Sequence, residues 1–270
     1  MTLRKKISLW LFALVMIFGI IPFFVMYQFQ DIFTFPVPDA VGPAGPVGSF
    51  ERVEITTRDQ ERLRAWYHPA EAGQARILVF HGNAELASNQ FPLGEALVKA
   101  GFGVLLAEYR GYGGSTGKPT EEGVIRDGLA SYDFLRAQSD APIGIVAHSL
   151  GTGIAIPVAA LRPPFAVVLK SPMTSLPAIA RYRMGWAPRD FMMKYTFHSD
   201  KVIGKLQAPI LIIHGTEDKV IPIAQGRELA ALAPKGTEFV ALEGAGHNDL
   251  ADFGTIDRTV SFLLKTLAKK

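Results

Sequence analysis

The chain has no cysteine among its 270 residues. That absence removes disulfides, a thiol nucleophile, a zinc–thiolate site and a lipidated amino-terminal cysteine from consideration. Excess charge of either sign is nearly missing as well: 28 Lys and Arg against 25 Asp and Glu leave a net +3. Setting aside Arg4, Lys5 and Lys6 brings the balance to zero, so no basic patch remains to hold nucleic acid. No internal repeat is visible.

Charge is also absent from one long stretch. Ile7 to Gln30 carries none, and Ile7 to Tyr27 is almost entirely apolar. About 21 residues rising 1.5 Å each match the hydrocarbon thickness of a bilayer, so residues 1–30 are expected to hold one N-terminal transmembrane helix. A cleaved signal peptide would have a shorter apolar core and end at a small-residue site, which Tyr27-Gln28-Phe29-Gln30-Asp31 does not offer. Arg4, Lys5 and Lys6 would stay cytoplasmic and place the rest of the chain on the opposite side. Residues 31–49, with Pro36, Pro38, Pro43 and Pro46 among Gly42, Gly45 and Gly48, read as a tether. Residues 50–270 suffice for one domain with a substantial core. A chain cut to 36–270 is expected to keep its activity on short soluble esters.

Phe50–Thr56 and Leu63–His68 alternate in the manner of an antiparallel pair. Apolar runs follow at Ile77–Phe80, Val104–Glu108, Ile143–Ala147, Ala166–Leu169, Ile210–Ile213 and Glu238–Leu242. Helical patterns intervene near Leu86–Ala100, Thr120–Ala137, Thr152–Leu161, Ala224–Ala233 and Asp249–Leu267. This rhythm predicts an α/β fold with a mostly parallel sheet covered on both faces. Ser171–Gln207 breaks the rhythm and reads as a small cap after the sixth strand. Its Met173, Met184, Trp186, Phe191, Met192, Met193, Tyr195 and Phe197 suit an adaptable acyl pocket, or simple packing of the cap on the sheet.

The run Ile143-Gly144-Ile145-Val146 ends in Ala147-His148-Ser149-Leu150-Gly151 and passes at once into a helical stretch. Strand, tight turn with a serine at its tip, then helix is the setting of a nucleophile elbow. Ala147 stands where the strict pattern has glycine and adds one methyl. A serine nucleophile needs a base, and the base an orienting acid. Asp218 and His247 each follow a strand run, in the chain order serine, acid, histidine, and are the expected acid and base. Glu217 and Glu243 are weaker choices for the acid. Past Arg76–Phe80 comes His81-Gly82-Asn83-Ala84; the backbone N–H groups of Asn83 and Leu150 are expected to form an oxyanion hole.

Joined by Tyr109-Arg110-Gly111-Tyr112-Gly113-Gly114-Ser115-Thr116-Gly117, His214-Gly215-Thr216-Glu217-Asp218 and Gly246-His247, these motifs make the chain resemble the α/β-hydrolase superfamily. Within it, the chain looks like the membrane-tethered Bem46-like serine hydrolases. The resemblance runs over residues 76–250, with Glu108, where relatives commonly carry Asp, and Ala147 as departures. It implies an α/β-hydrolase fold that cleaves acyl esters or thioesters through an acyl-enzyme, with no cofactor and no metal. A hydrophobic acyl substrate and the membrane are the expected partners; nothing in the pattern selects an oligomeric state. A peptidase using the same triad and a non-catalytic membrane-tethered binding protein stay open as alternatives.

Other tempting residues carry less. Gly111–Gly117 lacks the Gly-Lys-Ser/Thr of a phosphate loop. His81, His148 and His214 lack the spacing of zinc ligands. Ser115 lacks the strand–turn–helix setting of a nucleophile. His148 is expected to pack beside Ser149, and Glu108 to support neighbouring loops.

Overall fold

The computed structural model describes residues 5, 8, 10–12, 14, 16–185 and 190–269. Among these residues eight strands form one sheet. They are β1 (Glu51–Thr56), β2 (Arg62–His68), β3 (Arg76–Phe80), β4 (Gly103–Ala107), β5 (Ile143–His148), β6 (Val167–Lys170), β7 (Ile210–Gly215) and β8 (Glu238–Leu242). Their spatial order is β1-β2-β4-β3-β5-β6-β7-β8. β2 runs antiparallel to β1 and β4, and every pairing from β4 to β8 is parallel.

A parallel strand with helices on both sides has no solvent face, so it needs apolar residues without interruption. The strands β3, β4 and β5 meet that demand and are buried along their whole length. Successive side chains point to opposite faces, which divides the interior into two cores. Leu78, Phe80, Ile145 and Ala147 pack with Val124 and Leu135 of α4 (Glu121–Gln138) and Ile154 of α5 (Leu150–Leu161). Ile77, Val79 and Val146 instead meet Leu93 and Leu97 of α3 (Phe91–Lys99) and Leu263 of α8 (Thr255–Leu267). Each of these Leu, Ile, Val and Phe side chains contributes about 1.5–3 kcal/mol by leaving water. The remaining helices are α1 (Ile21–Gln28), α2 (Gln30–Thr34), α6 (Leu176–Met184) in the cap, and α7 (Ile223–Leu232).

Helix starts differ from the sequence expectation for local reasons. The pattern from Leu86 opens as a 3₁₀ turn, Ala87–Gln90, and becomes α-helix only at Phe91, with Pro92 in the first turn where its missing N–H costs nothing. Gly254, at φ 72°, separates a 3₁₀ turn, Leu250–Phe253, from α8. Helix α5 begins at Leu150 and not at Thr152, directly against Ser149.

The N-terminal segment departs furthest. Among the described residues no helix is long and apolar enough to cross a membrane. Met16–Ile20 is π-helical, followed by α1 and α2, which meet at Phe29. Pro22 has no N–H to carry the helical ladder across this point. Residues 6, 7, 9, 13 and 15 of the expected span lie outside the described residues, as does Trp186 of the cap. Nor does the stretch 31–49 hang free. Asp31 bonds the cap, Phe35 is buried, Arg52 donates to the Val41 carbonyl (2.5 Å), and Ser49 donates to Glu95 (3.2 Å). Polar groups along this segment find partners on the domain, so its prolines do not make it a leash.

One buried ion cluster fixes the loop after β4. The Arg110 guanidinium donates to Asp127 on α4 (2.8 and 2.9 Å) and to Asp59 (2.8 and 3.1 Å). Asp127→Ala leaves that guanidinium half-paired in the interior. The expected loss is roughly 3 kcal/mol, read as a lower urea midpoint with an unchanged slope.

Candidate active site

Ser149 sits at the tip of the turn from β5 to α5 with φ 52° and ψ −121°, a backbone conformation that costs a side-chain-bearing residue about 1–3 kcal/mol. Two neighbours hold it there. Its N–H donates to the Lys170 carbonyl at the end of β6 (3.0 Å), and Thr152 Oγ1 donates to its carbonyl (2.6 Å). Gly151 makes the turn possible, because a Cβ there would lie 2.6 Å from the His81 carbonyl oxygen and 2.8 Å from that of Phe80. Ala147 is fully buried and its single methyl is absorbed in the core.

The structure brings the three expected side chains into one chain of hydrogen bonds. The Ser149 hydroxyl donates to His247 Nε2 (2.9 Å), and His247 Nδ1–H donates to Asp218 Oδ2 (2.7 Å). Asp218 also accepts from the N–H groups of Val220 (2.9 Å) and Ile221 (2.8 Å) and from the Ser171 hydroxyl (2.8 Å), with His214 Nε2 at 3.3 Å. Burial alone would oppose ionisation, but His214, His247 and the Ile221 N–H outweigh it and hold the carboxyl well below the usual carboxylate range. A charged Asp218 requires the proton on Nδ1, which leaves the Nε2 lone pair facing Ser149.

Ser171 and His214 were not expected in this role. Ser171 follows β6 with φ 46°, a strained residue at the strand end where parallel sheets gather their chemistry. His214 lies four residues before Asp218, and its Nε2–H also points to the Ile221 carbonyl (2.8 Å).

The loop after β3 presents the other expected component. Asn83 and Leu150 border the same cavity as Ser149, and neither backbone N–H has an acceptor among the described residues. Beneath this loop His81 Nε2 lies 2.7 Å from Glu108 Oε1, Tyr109 donates to the His81 carbonyl (2.7 Å), and the Ala87 N–H donates to Glu108 (3.1 Å). Glu108 thus holds both ends of the loop. His148 lies between Glu85 Oε1 (3.1 Å from Nδ1) and the His247 carbonyl (3.2 Å from Nε2), so it steadies the loop that carries His247. Burial opposes ionisation of Glu85, yet hydrogen bonds from His148 and the Gly82 N–H hold its carboxyl below the usual range. Ser115 accepts from the Arg64 N–H (3.0 Å) and shapes its own turn. Among the described residues no three metal-ligating side chains converge.

Ser149 opens on a cavity of about 540 Å³ walled by Met173, Leu176, Ile179, Met184, Met192 and Met193. Tyr195 and Phe197 are instead buried in the packing of the cap, and Phe191 is exposed. The cap residues therefore divide between the two roles anticipated for them. Gln30, Phe33 and Thr34 form part of the same wall. α2 thus folds back across the cap, and part of the cavity lining comes from residues before position 36.

Comparison with known proteins agrees with this architecture. A family model described as serine aminopeptidase matches residues 71–196. An uncharacterized protein of Mycobacterium tuberculosis is 38% identical over 221 residues, covering 79% of this chain and 77% of that one. The chain belongs to the α/β-hydrolase superfamily. It is a serine hydrolase of that superfamily. The lysophosphatidylserine lipase ABHD12 of Mus musculus is 33% identical over 202 residues, 67% of this chain and 51% of that protein, so the chain spans about half the length of that relative. An esterase of Pyrococcus furiosus superposes with a TM-score of 0.69 at 20% identity over 85% of this chain and 97% of that one, a likeness of fold.

The depressed Asp218 carboxyl gives this hydrolase an acid-side signature. Its stabilising effect is present above the unfolded carboxylate value near 4 and is lost as pH falls toward the lower folded value. Asp218→Asn should be less stable than wild type at neutral pH. The two melting curves should converge as pH drops below about 4. Parallel curves across that range would contradict the assignment.

Proposed function

We propose that this α/β-hydrolase cleaves hydrophobic acyl esters or thioesters, with Ser149 as nucleophile, His247 as base and Asp218 as orienting acid. One observation carries the reading: the hydrogen-bonded relay from Asp218 through His247 to Ser149 ends at an apolar cavity large enough for an acyl chain.

In this reading His247 Nε2 takes the hydroxyl proton as Ser149 Oγ attacks the acyl carbon. The resulting oxyanion is held by the backbone N–H groups of Asn83 and Leu150, the latter at the positive end of α5. Asp218 stabilises the imidazolium, which delivers its proton to the departing alcohol or thiol. Water then enters, gives a proton to His247 and attacks the acyl-serine; the proton returns to Oγ and the acid leaves. All reacting groups belong to the chain or the substrate.

The description attached to the matching family model favours a peptidase as the second reading. An aminopeptidase must hold the substrate's ammonium group. Among the described residues lining the cavity there is no carboxylate, and Arg183 is the one charged side chain. A cation at the cavity repels an ammonium, so the ester reading stands first. The lipase among the relatives supports it.

We further propose that the apolar run ending at Gln30 attaches the chain to a membrane, with Arg4, Lys5 and Lys6 on the cytoplasmic side. Support comes from the lack of charge over residues 7–30 and from the outward faces of Trp10, Phe12, Phe18, Phe24 and Phe29. The full chain should stay with the membrane fraction through alkaline carbonate extraction; release into the wash would contradict the attachment.

Ser149→Ala and His247→Ala should each lower turnover of p-nitrophenyl esters by about 10⁶, with His148→Ala losing far less. A Ser149→Ala protein retaining more than about a tenth of wild-type turnover would remove Ser149 from the mechanism.

A further inference from the structure

Helix α2 is too short to be stable alone, and the run of polar and aromatic residues from Gln30 to Phe35 carries no motif. Its side-chain hydrogen bonds are all with residues about 160 positions away. The Gln30 side chain donates through Nε2 to the Met192 carbonyl (3.0 Å) and accepts at Oε1 from the Lys194 N–H (2.7 Å), pairing with the cap backbone in both directions. Asp31 accepts from Lys194 Nζ and from the Tyr195 hydroxyl, each at 2.7 Å. Phe35 is 4% exposed and sets its ring edge-on to Tyr195 (5.0 Å between centroids) and Phe197 (6.1 Å).

The attachment continues to the nucleophile's own helix. The N–H groups of Thr196 and Phe197 donate to Glu121 at the start of α4 (2.6 and 2.8 Å). The Phe197 ring lies so close to Gly153 of α5 that a Cβ there would sit 2.8 Å from it. Residues 30–35, the cap stretch 192–197 and the helix following Ser149 are thus packed in series. Gln30, Phe33 and Thr34, spaced three and four apart, share one helical face, and all three border the cavity beside Ser149. Phe33 is 77% exposed, an aromatic ring held in water at the rim of an apolar pocket. An acyl chain lying in that pocket would cover the ring.

We propose that Gln30, Phe33 and Thr34 form a working wall of the acyl pocket, with Phe33 the residue that selects long acyl chains and Asp31 the clasp that holds the cap's Met192 and Met193 around them. This rests on the ester reading of the Ser149 site and goes beyond it by naming the substrate class, long-chain acyl esters, and the residues that choose it. Each methylene that leaves water for such a wall raises kcat/KM by about fourfold, so a wall a few methylenes deep discriminates strongly by length. Phe33 acts by binding and touches no reacting atom. Its effect therefore falls in KM more than in kcat.

The test uses the full chain in lipid nanodiscs with p-nitrophenyl butyrate and decanoate. Phe33→Ala is expected to lower the decanoate-to-butyrate ratio of kcat/KM by about tenfold, and Phe33→Leu to restore most of it. Ile32→Ala, on the same helix but outside the pocket lining, should keep the wild-type ratio. Asp31→Ala should lower the ratio and speed hydrogen exchange in the 192–197 stretch. A wild-type ratio in Phe33→Ala, or a loss that Ile32→Ala shares, would overturn the proposal. Butyrate turnover that persists in every variant and is lost in Ser149→Ala shows that Ser149 chemistry is intact, so failure of the wall is distinct from failure of the ester reading. Absence of Ser149-dependent turnover of either ester in the wild type would overturn both.

Discussion

The geometry of Ser149 depends on one close backbone approach, that of Gly151 to the carbonyls of Phe80 and His81. Because no side chain intervenes, α5 begins directly beside the end of β3. That brings the unpartnered N–H groups of Leu150 and Asn83 to the same cavity. The positive φ of Ser149 follows from the same contact: the chain must reverse from strand to helix within one residue. The strain is sustained by the buried strands β3 and β5 and by the Lys170 and Thr152 hydrogen bonds.

Around this turn the other loops are held by polar ties that burial makes strong. Asp218 is charged in a buried site because five donors face it. Glu108 and Glu85 each serve one loop, the first beneath His81 and the second through His148 to the carbonyl of His247. The alignment of Ser149 and His247 thus rests on residues that touch neither the serine oxygen nor any acyl group. The cap follows a different logic. Its methionines provide a deformable wall, and its fixed points are Glu121 on one side and Asp31 on the other.

The central strands were legible in the sequence because a strand buried on both faces must be apolar throughout, and Arg76–Phe80 and Ile143–Ala147 are. Ser149 and Asp218 were candidates for a related reason, each standing just past such a run, whereas His247 follows the partly exposed edge strand β8 and was picked out by its chain order after the serine and the acid. Ser171 and His214 were not, since a serine after a strand and a histidine before a turn have no pattern apart from the carboxylate they face. Gln30–Phe35 was hidden more deeply. Its meaning lies in contacts with Met192–Phe197, and the apolar run before it suggested a single span with a loose tether. Pro22 and the polar partners of Asp31 and Gln30 decide otherwise in the structure described.

Mass spectrometry of the full chain after reaction with an alkyl fluorophosphonate tests the central claim most directly. The account predicts one adduct per chain, on the peptide that carries Ser149, and its loss when His247 is replaced by alanine. No adduct on the active protein, or an adduct on Ser115 or Ser171 in place of Ser149, would contradict it.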